Sequence, residues 1–101
     1  MHVIEIFLPL TRNDGAGQPG GLFEQVRSEL IDRFGGLTAF SRAPAEGLWD
    51  SGEGVDADAI VIFEVMAEEL DCGWWADLRA RLEGMFDQDE IVIRASAVKR
   101  L

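Results

Sequence analysis

The chain has 101 residues, 48% of them hydrophobic and 28% charged, and its 19 acidic against 9 basic side chains give a formal net charge of −10. This length predicts a single domain, residues 1–101, with one core. The acidic balance excludes the basic surface that nucleic-acid or anionic-membrane binding requires. No apolar run approaches the roughly 20 residues of a membrane helix. A single cysteine and the absence of a signal-peptide pattern lead us to expect a cytoplasmic protein without disulfides.

The first half of the chain predicts a strand, a loop, a helix and a second strand. Residues 2–10 are rich in β-branched and aromatic side chains, which favours a strand. After a glycine-rich loop, residues 22–34 place apolar side chains three and four apart, as in an amphipathic helix. Gly35-Gly36 ends this helix, because glycine takes the left-handed conformation common at that point. Residues 37–43 predict the second strand, closed by Pro44.

The second half predicts a long connection, a strand, a helix and a last strand. Residues 45–58 hold several glycines and acidic side chains, which indicates a long connection or an irregular hairpin. Residues 59–67 carry the strongest strand pattern in the chain. Asp71 is a good N-cap for a second amphipathic helix, which ends near residues 87–89, and residues 90–98 predict the fourth strand.

The predicted order of elements is strand, helix, two strands, helix, strand. Two helices cannot cover both faces of a four-stranded sheet, so we expect both on one face. Right-handed crossovers then predict a ferredoxin-like α+β fold, with an antiparallel sheet in the strand order 4-1-3-2.

The sheet face without helices is predicted to be mostly apolar. Alternation along the strands places on this face Val3, Glu5, Phe7, Thr38, Phe40, Arg42, Ile60, Ile62, Glu64, Met66, Val92, Arg94, Ser96 and Val98. Monomers rarely expose so many apolar side chains together, so we expect a homodimer through this open face. Charges buried there are costly unless they are paired. The strand order lets Glu5 face Arg94. It also lets Arg42 face Glu64, with the hairpin centred near Glu53.

Two roles for the open face remain as alternatives. In the first, the charges are cross-strand ion pairs, and the protein is a non-enzymatic small-molecule-binding or interaction module. The ligand or interface residues are then Phe7, Phe40, Arg42, Ile62 and Arg94. In the second, a cofactor-free enzyme of isomerase or monooxygenase type uses Glu5 or Glu64 as general base, while Arg42 or Arg94 holds a carboxylate or phosphate as an anion clamp. No cofactor or metal site is predicted, because the one histidine, His2, has no companion ligands at metal spacing.

One pattern in the chain carries a family resemblance. The stretch Phe34-Gly35-Gly36-Leu37-Thr38, followed by Gly47-Leu48-Trp49, resembles small uncharacterised bacterial proteins with an F-x-G-L-T … G-x-W pattern in a ferredoxin-like domain. The resemblance implies structural roles, namely a helix stop, a strand start and a buried Trp49, and it brings no catalytic residues. The fold is also similar to that of dimeric α/β-barrel proteins, in which two such sheets pack face to face. That similarity implies a homodimer.

Overall fold

The chain folds in the predicted order of strand, helix, two strands, helix and strand. A computed structural model describes residues 1–50, 52 and 54–101, and the side chains of all of these except 42–45 and 55–58. The elements are β1 (His2–Pro9), α1 (Leu22–Phe34), β2 (Thr38–Asp50), β3 (Val55–Ala67), α2 (Cys72–Met85) and β4 (Ile93–Ala97). The strands form one antiparallel sheet in the order β2-β3-β1-β4, which reads 4-1-3-2 from the β4 edge. The predicted α+β class is confirmed.

The helix ends follow the residues predicted to set them. Gly35 takes a left-handed conformation, φ 81°, and its N–H donates to the carbonyl of Ile31 at 2.7 Å, which ends α1. The Asp71 carboxylate accepts the N–H of Trp74 at 3.1 Å and thereby caps the first turn of α2. None of the helices in the described part of the chain is long and apolar enough to cross a membrane.

The core lies between the helices and one face of the sheet. Its buried side chains come from alternate positions of β1 and β3, from single stripes of α1 and α2, and from the segment between α2 and β4. They are Ile4, Ile6, Leu8, Val26, Leu30, Val61, Phe63, Val65, Trp75, Leu78, Leu82, Phe86 and Ile91. Because every member faces inward from its element, both helices cover the same sheet face and the opposite face stays open. The predicted open face is therefore a real surface of the monomer.

The connection predicted at residues 45–58 is mostly paired strand. Strands β2 and β3 pair as far as Asp50 with Val55, whereas the last β1–β3 pair is Pro9 with Ile60. The hairpin beyond that point, residues 45–59, is called the arm below. It gives the molecule a long axis of 42 Å against 28 and 27 Å. The radius of gyration, 14.0 Å, exceeds the roughly 12.7 Å of a compact chain of this length.

A shift of register separates the arm from the central sheet. Phe40 pairs with Ile62, but the next pair along is Ala45 with Ile60, so β2 advances five residues while β3 moves back two. Pro44 lies in this stretch and has no N–H to donate to a ladder. The prediction that the second strand ends at Pro44 was therefore wrong about the end of the strand, although it located the interruption in the pairing of β2 with β3.

Candidate functional site

The open face is organised in rows that cross the strands. One row runs from β4 to β2 through Arg94, Glu5, Glu64 and Thr38, and is called the polar row. The neighbouring row, called the apolar row, consists of Val92, Phe7, Ile62 and Phe40. Its members are joined by the Phe7–Ile62 and Phe40–Ile62 pairs and by the Phe7 N–H, which donates to the Val92 carbonyl at 3.1 Å. Charged and apolar side chains of the open face therefore lie in separate neighbouring rows.

Glu5 and Arg94 form the ion pair that the sequence predicts. The Nε of Arg94 donates to Glu5 Oε1 at 3.0 Å, and the Arg94 guanidinium carbon lies 4.8 Å from the centre of the Phe7 ring. The Arg94 side chain is 66% exposed and that of Glu5 25% exposed. Such a pair adds at most about 1 kcal/mol in the monomer, because water screens it. The contribution of this ion pair to stability would increase if a partner covered it and excluded water.

Glu64 does not have the partner predicted for it. The prediction that Arg42 faces Glu64 is wrong, because the extra residues of β2 place Thr38 opposite Glu64 and leave Arg42 within the register shift. The Arg42 side chain lies outside the described side chains. On its other side Glu64 is the direct partner of Glu5. Two like charges therefore sit opposite each other on neighbouring strands, an arrangement that destabilises a sheet.

The apolar side chains of the open face are substantially exposed. Phe40 is 49% exposed, Val92 50% and Met66 49%, while Phe7 and Ile62 are partly buried. The four members of the apolar row form one contiguous strip, whereas Met66 lies on the other side of the polar row, opposite Val3. A patch of this kind marks an interaction surface or a ligand site.

A groove of about 510 Å³ adjoins the polar row at one corner of the sheet. It lies where α1 ends, β2 begins and β3 ends, and the backbone of Gly35-Gly36 forms part of its wall. Glu64 and Glu68 line it together with Arg33 and Arg100. The groove therefore presents both carboxylates and guanidinium groups.

Arg33 is held in place at the edge of this groove. Its guanidinium carbon lies 4.2 Å from the centre of the Trp74 ring, and its NH2 nitrogen is 3.8 Å from an Asp71 carboxylate oxygen. A stacked guanidinium keeps its outward N–H groups available for a carboxylate or phosphate. Sequence reasoning did not select Arg33 or Arg100. The position of Arg33 just before the Phe34-Gly35-Gly36 helix stop is the signal that could have found it.

Other residues considered from the sequence are not brought together. Among the described residues there is no group of three or more His, Cys, Asp or Glu side chains able to hold a metal ion. Cys72 is exposed. Trp49 is 51% exposed on the arm, so the expectation that it is buried is wrong. The reason is the length of the β2–β3 hairpin, which carries Trp49 beyond the helices.

Comparison with known proteins gives information about the fold and not about the function. No family model and no curated protein matches the chain. A solved structure of a phage SAM lyase in complex with S-methyl-5'-thioadenosine matches with a TM-score of 0.59 at 16% sequence identity, covering 94% of this chain and 79% of that chain. At that identity the likeness concerns the fold, and folds of this kind serve many functions.

Proposed function

We propose that the chain is a homodimeric binding module of ferredoxin-like fold, in which two copies pack their open faces together. The observation that carries this proposal is the apolar row, whose outer members Phe40 and Val92 are about half exposed in the single chain. Two sheets that pack face to face lie about 10 Å apart, close enough for these side chains to interdigitate. The resemblance to small bacterial ferredoxin-like proteins and to dimeric α/β barrels belongs to the same proposal.

The surface area of the single chain supports a second copy as the partner. Its accessible surface is 6497 Å². A compact monomer of 11.2 kDa exposes about 5700 Å². The excess of about 800 Å² equals the area that each partner buries in a standard protein–protein interface. The protruding arm contributes to this surplus, and a second copy packed on the open face would bury an area of the same size.

The polar row gives such a dimer a place for a small molecule. Glu5 and Arg94 already satisfy each other at 3.0 Å, so covering them leaves no unpaired ion in that half of the row. Glu64 and Thr38 form the other half, next to the groove. Neither nucleic acid nor an anionic membrane is a proposed partner, because the chain carries a net charge of −10. A cytoplasmic location belongs to this proposal.

Sedimentation velocity at micromolar concentration tests the dimer. The mass derived from the sedimentation of the wild type is expected to be twice that of the single chain. Phe40→Ser is expected to shift the population to monomer. Ile31→Ser is the matched control, because Ile31 is 43% exposed on α1 while Phe40 is 49% exposed on the open face. A monomeric wild type, or equal effects of the two variants, would refute the proposal.

A second candidate is a cofactor-free enzyme with Glu64 as general base. The observation that favours it is that Glu64 has no ion pair among the described residues and lines the groove with Arg33 and Arg100. These two arginines replace Arg94 as the anion clamp, since Arg94 already holds Glu5. A carboxylate beside guanidinium groups can remove a proton from a substrate whose anionic group the arginines hold.

Nuclear magnetic resonance titration tests this second candidate. The first probes are S-methyl-5'-thioadenosine, the molecule bound in the phage structure, and a panel of small carboxylates and phosphates. Chemical-shift changes are expected at Gly35, Gly36 and Thr38. The Glu64→Gln variant is expected to bind the same probe but to lose its turnover. Glu69→Gln is the control, because Glu69 is exposed and does not line the groove. Absence of shifts around the groove with every probe would remove the enzyme alternative.

A further inference from the structure

We propose that the outer edge of β4 and the cleft between β4 and α2 bind the carboxy-terminal segment of another polypeptide. The segment lies antiparallel to β4 as an added strand. It places apolar side chains in the cleft and its terminal carboxylate at Arg79. This inference concerns the edge of the sheet and does not depend on the proposed homodimer, which uses the open face.

The main chain of β4 is paired on one side only. The carbonyl of Val92 accepts the N–H of Phe7 at 3.1 Å. The N–H of Val98 donates to the carbonyl of Met1 at 3.0 Å, so the even-numbered residues of this segment face β1. The odd-numbered residues of β4 therefore point their N–H and carbonyl groups away from the sheet, where they have no hydrogen-bond partner among the described residues. They are Ile93, Ala95 and Ala97.

The β4 edge lacks features that keep edge strands from pairing with other chains. The other edge strand, β2, contains Pro44 and a shift of register. Between Ile93 and Ala97, β4 contains no proline and pairs with β1 without a shift. Its one charged residue, Arg94, lies on the open face. An exposed strand edge of this kind is a template for an extended segment.

A cleft of about 290 Å³ lies beside this edge. Ile93 and Ala95 form one wall, and the other wall is a side of α2 on which Cys72, Ala76 and Arg79 recur at helical spacing. The remaining lining residues are Ile4, Leu70, Trp75 and Arg94. A residue added opposite Ala95 points its side chain to the same face as Ala95, into this cleft. The volume is below the range of about 300–1,000 Å³ for small-molecule sites, so the cleft suits single side chains of a peptide.

The topology determines which end of the segment reaches Arg79. The last residues of β3 and β4 both pair with His2, and α2 begins shortly after β3, at this end of the sheet. The other end of α2 meets the loop after β1, where Arg12 donates to the Met85 carbonyl at 3.1 Å. Helix α2 therefore runs opposite to β4. A segment antiparallel to β4, which is the pairing throughout this sheet, runs along α2 from Cys72 toward Arg79.

The free edge stops beside Arg79, which favours a chain end at this point. The next outward N–H before β4, that of Ile91, already donates to Glu83 Oε2 at 3.0 Å. Arg79 is exposed and makes no ion pair among the described residues, and no carboxylate is among the residues that line the cleft. A guanidinium group in this position can hold a terminal carboxylate through two parallel hydrogen bonds.

Nuclear magnetic resonance titration of the isotope-labelled protein tests the site. The probe is the acetylated pentapeptide valine-threonine-valine-glutamate-leucine, whose alternate side chains are apolar and whose glutamate falls opposite Arg94. Chemical-shift changes are expected at the N–H groups of Ile93, Ala95 and Ala97. The same peptide with an amidated carboxy terminus is expected to bind about tenfold more weakly, because it lacks the charge-assisted hydrogen bonds to Arg79.

Two pairs of matched variants separate the carboxylate contact from the cleft. Arg79→Gln is expected to weaken binding of the free-carboxylate peptide about tenfold, whereas Arg100→Gln, also exposed but outside the cleft, is expected to leave it unchanged. Ala76→Leu fills the cleft and is expected to weaken binding about tenfold. Ala80→Leu is its control, because Ala80 is exposed on the same helix and does not line the cleft.

Four outcomes would overturn the inference. They are the absence of shift changes along β4 at millimolar peptide, equal binding of the free and amidated peptides, effects of Arg79→Gln and Ala76→Leu no larger than those of their controls, and changes at the β4 edge that appear on raising the protein concentration without peptide. The last result would show that a second copy of the chain occupies the edge. None of these results bears on the open-face dimer, which sedimentation tests separately.

Discussion

Replacement of Glu64 by glutamine is expected to stabilise the protein. Glu64 and Glu5 are direct partners on β3 and β1, and both lie on the open face. Their like charges repel, whereas a glutamine at 64 keeps the size and polarity of the side chain. A residue that lowers stability where it stands is often kept for use, so a gain on its removal supports a role for Glu64 in binding or chemistry.

The size of the gain follows from the geometry. Two carboxylates about 6 Å apart in a surface environment with an effective dielectric constant near 60 repel by about 0.9 kcal/mol. Arg94 neutralises part of the Glu5 charge, at an N–O distance of 3.0 Å, which leaves about 0.5 kcal/mol. For a domain of this size, that corresponds to a rise of about 2–4 °C in the midpoint of thermal unfolding.

Thermal unfolding followed by circular dichroism at pH 7 measures the effect. The gain is expected to shrink in 1 M salt, where the Debye length falls to about 3 Å. Glu68→Gln is the control, because Glu68 is exposed and follows the last residue of β3. Arg94→Gln should lower the midpoint, and less so when combined with Glu64→Gln. A Glu64→Gln variant less stable than the wild type would refute the reasoning, since it would show that Glu64 has a favourable partner.

Three further predictions concern the scaffold. Arg81 donates two hydrogen bonds to the Glu29 carboxylate, at 2.8 and 2.5 Å, and these lower the pKa of Glu29 below its ordinary 4.5. The stabilisation by the Glu29–Arg81 pair is present above pH 4.5 and is lost as the pH falls through the lowered pKa of Glu29. Arg81→Leu should therefore cost about 0.5–1 kcal/mol in urea unfolding at pH 7 and less at pH 3. Leu82 is fully buried, and Leu82→Ala should cost about 2–5 kcal/mol by the same assay; a cost below 1 kcal/mol would contradict the described core. Gly35→Ala should cost about 1 kcal/mol, because Gly35 has φ 81°, whereas Gly36→Ala should cost less; equal costs would contradict the left-handed helix end.

The sequence was sufficient to predict the core and one of the two charge pairs. Alternation placed Val3, Glu5 and Phe7 on the open face, which turns Ile4, Ile6 and Leu8 toward the helices, and these last three are buried. Glu5 and Arg94 were predicted as neighbours because β1 and β4 pair without interruption, and they meet at 3.0 Å. Where a ladder is continuous, periodicity and strand order together fix which side chains face each other.

The arm and the surroundings of Glu64 could not be predicted in the same way. None of the described side chains of the arm is buried, and the alternation by which half-buried strands are recognised is weak there. Counting back from the turn paired Arg42 with Glu64 on the assumption of one residue opposite one. The shift between Phe40 and Ala45 breaks that assumption, and only its position near Pro44 was visible in the sequence.

The register shift in β2 also makes the hairpin end a place to lengthen or shorten the protein. Pairing from Ala45 to Asp50 is set separately from pairing at Thr38, Ala39 and Phe40. Insertion or deletion between Asp50 and Val55 therefore leaves the inward and outward alternation of the central strands unchanged. A peptide epitope or a fluorescent label grafted there would report on the molecule without disturbing its interior.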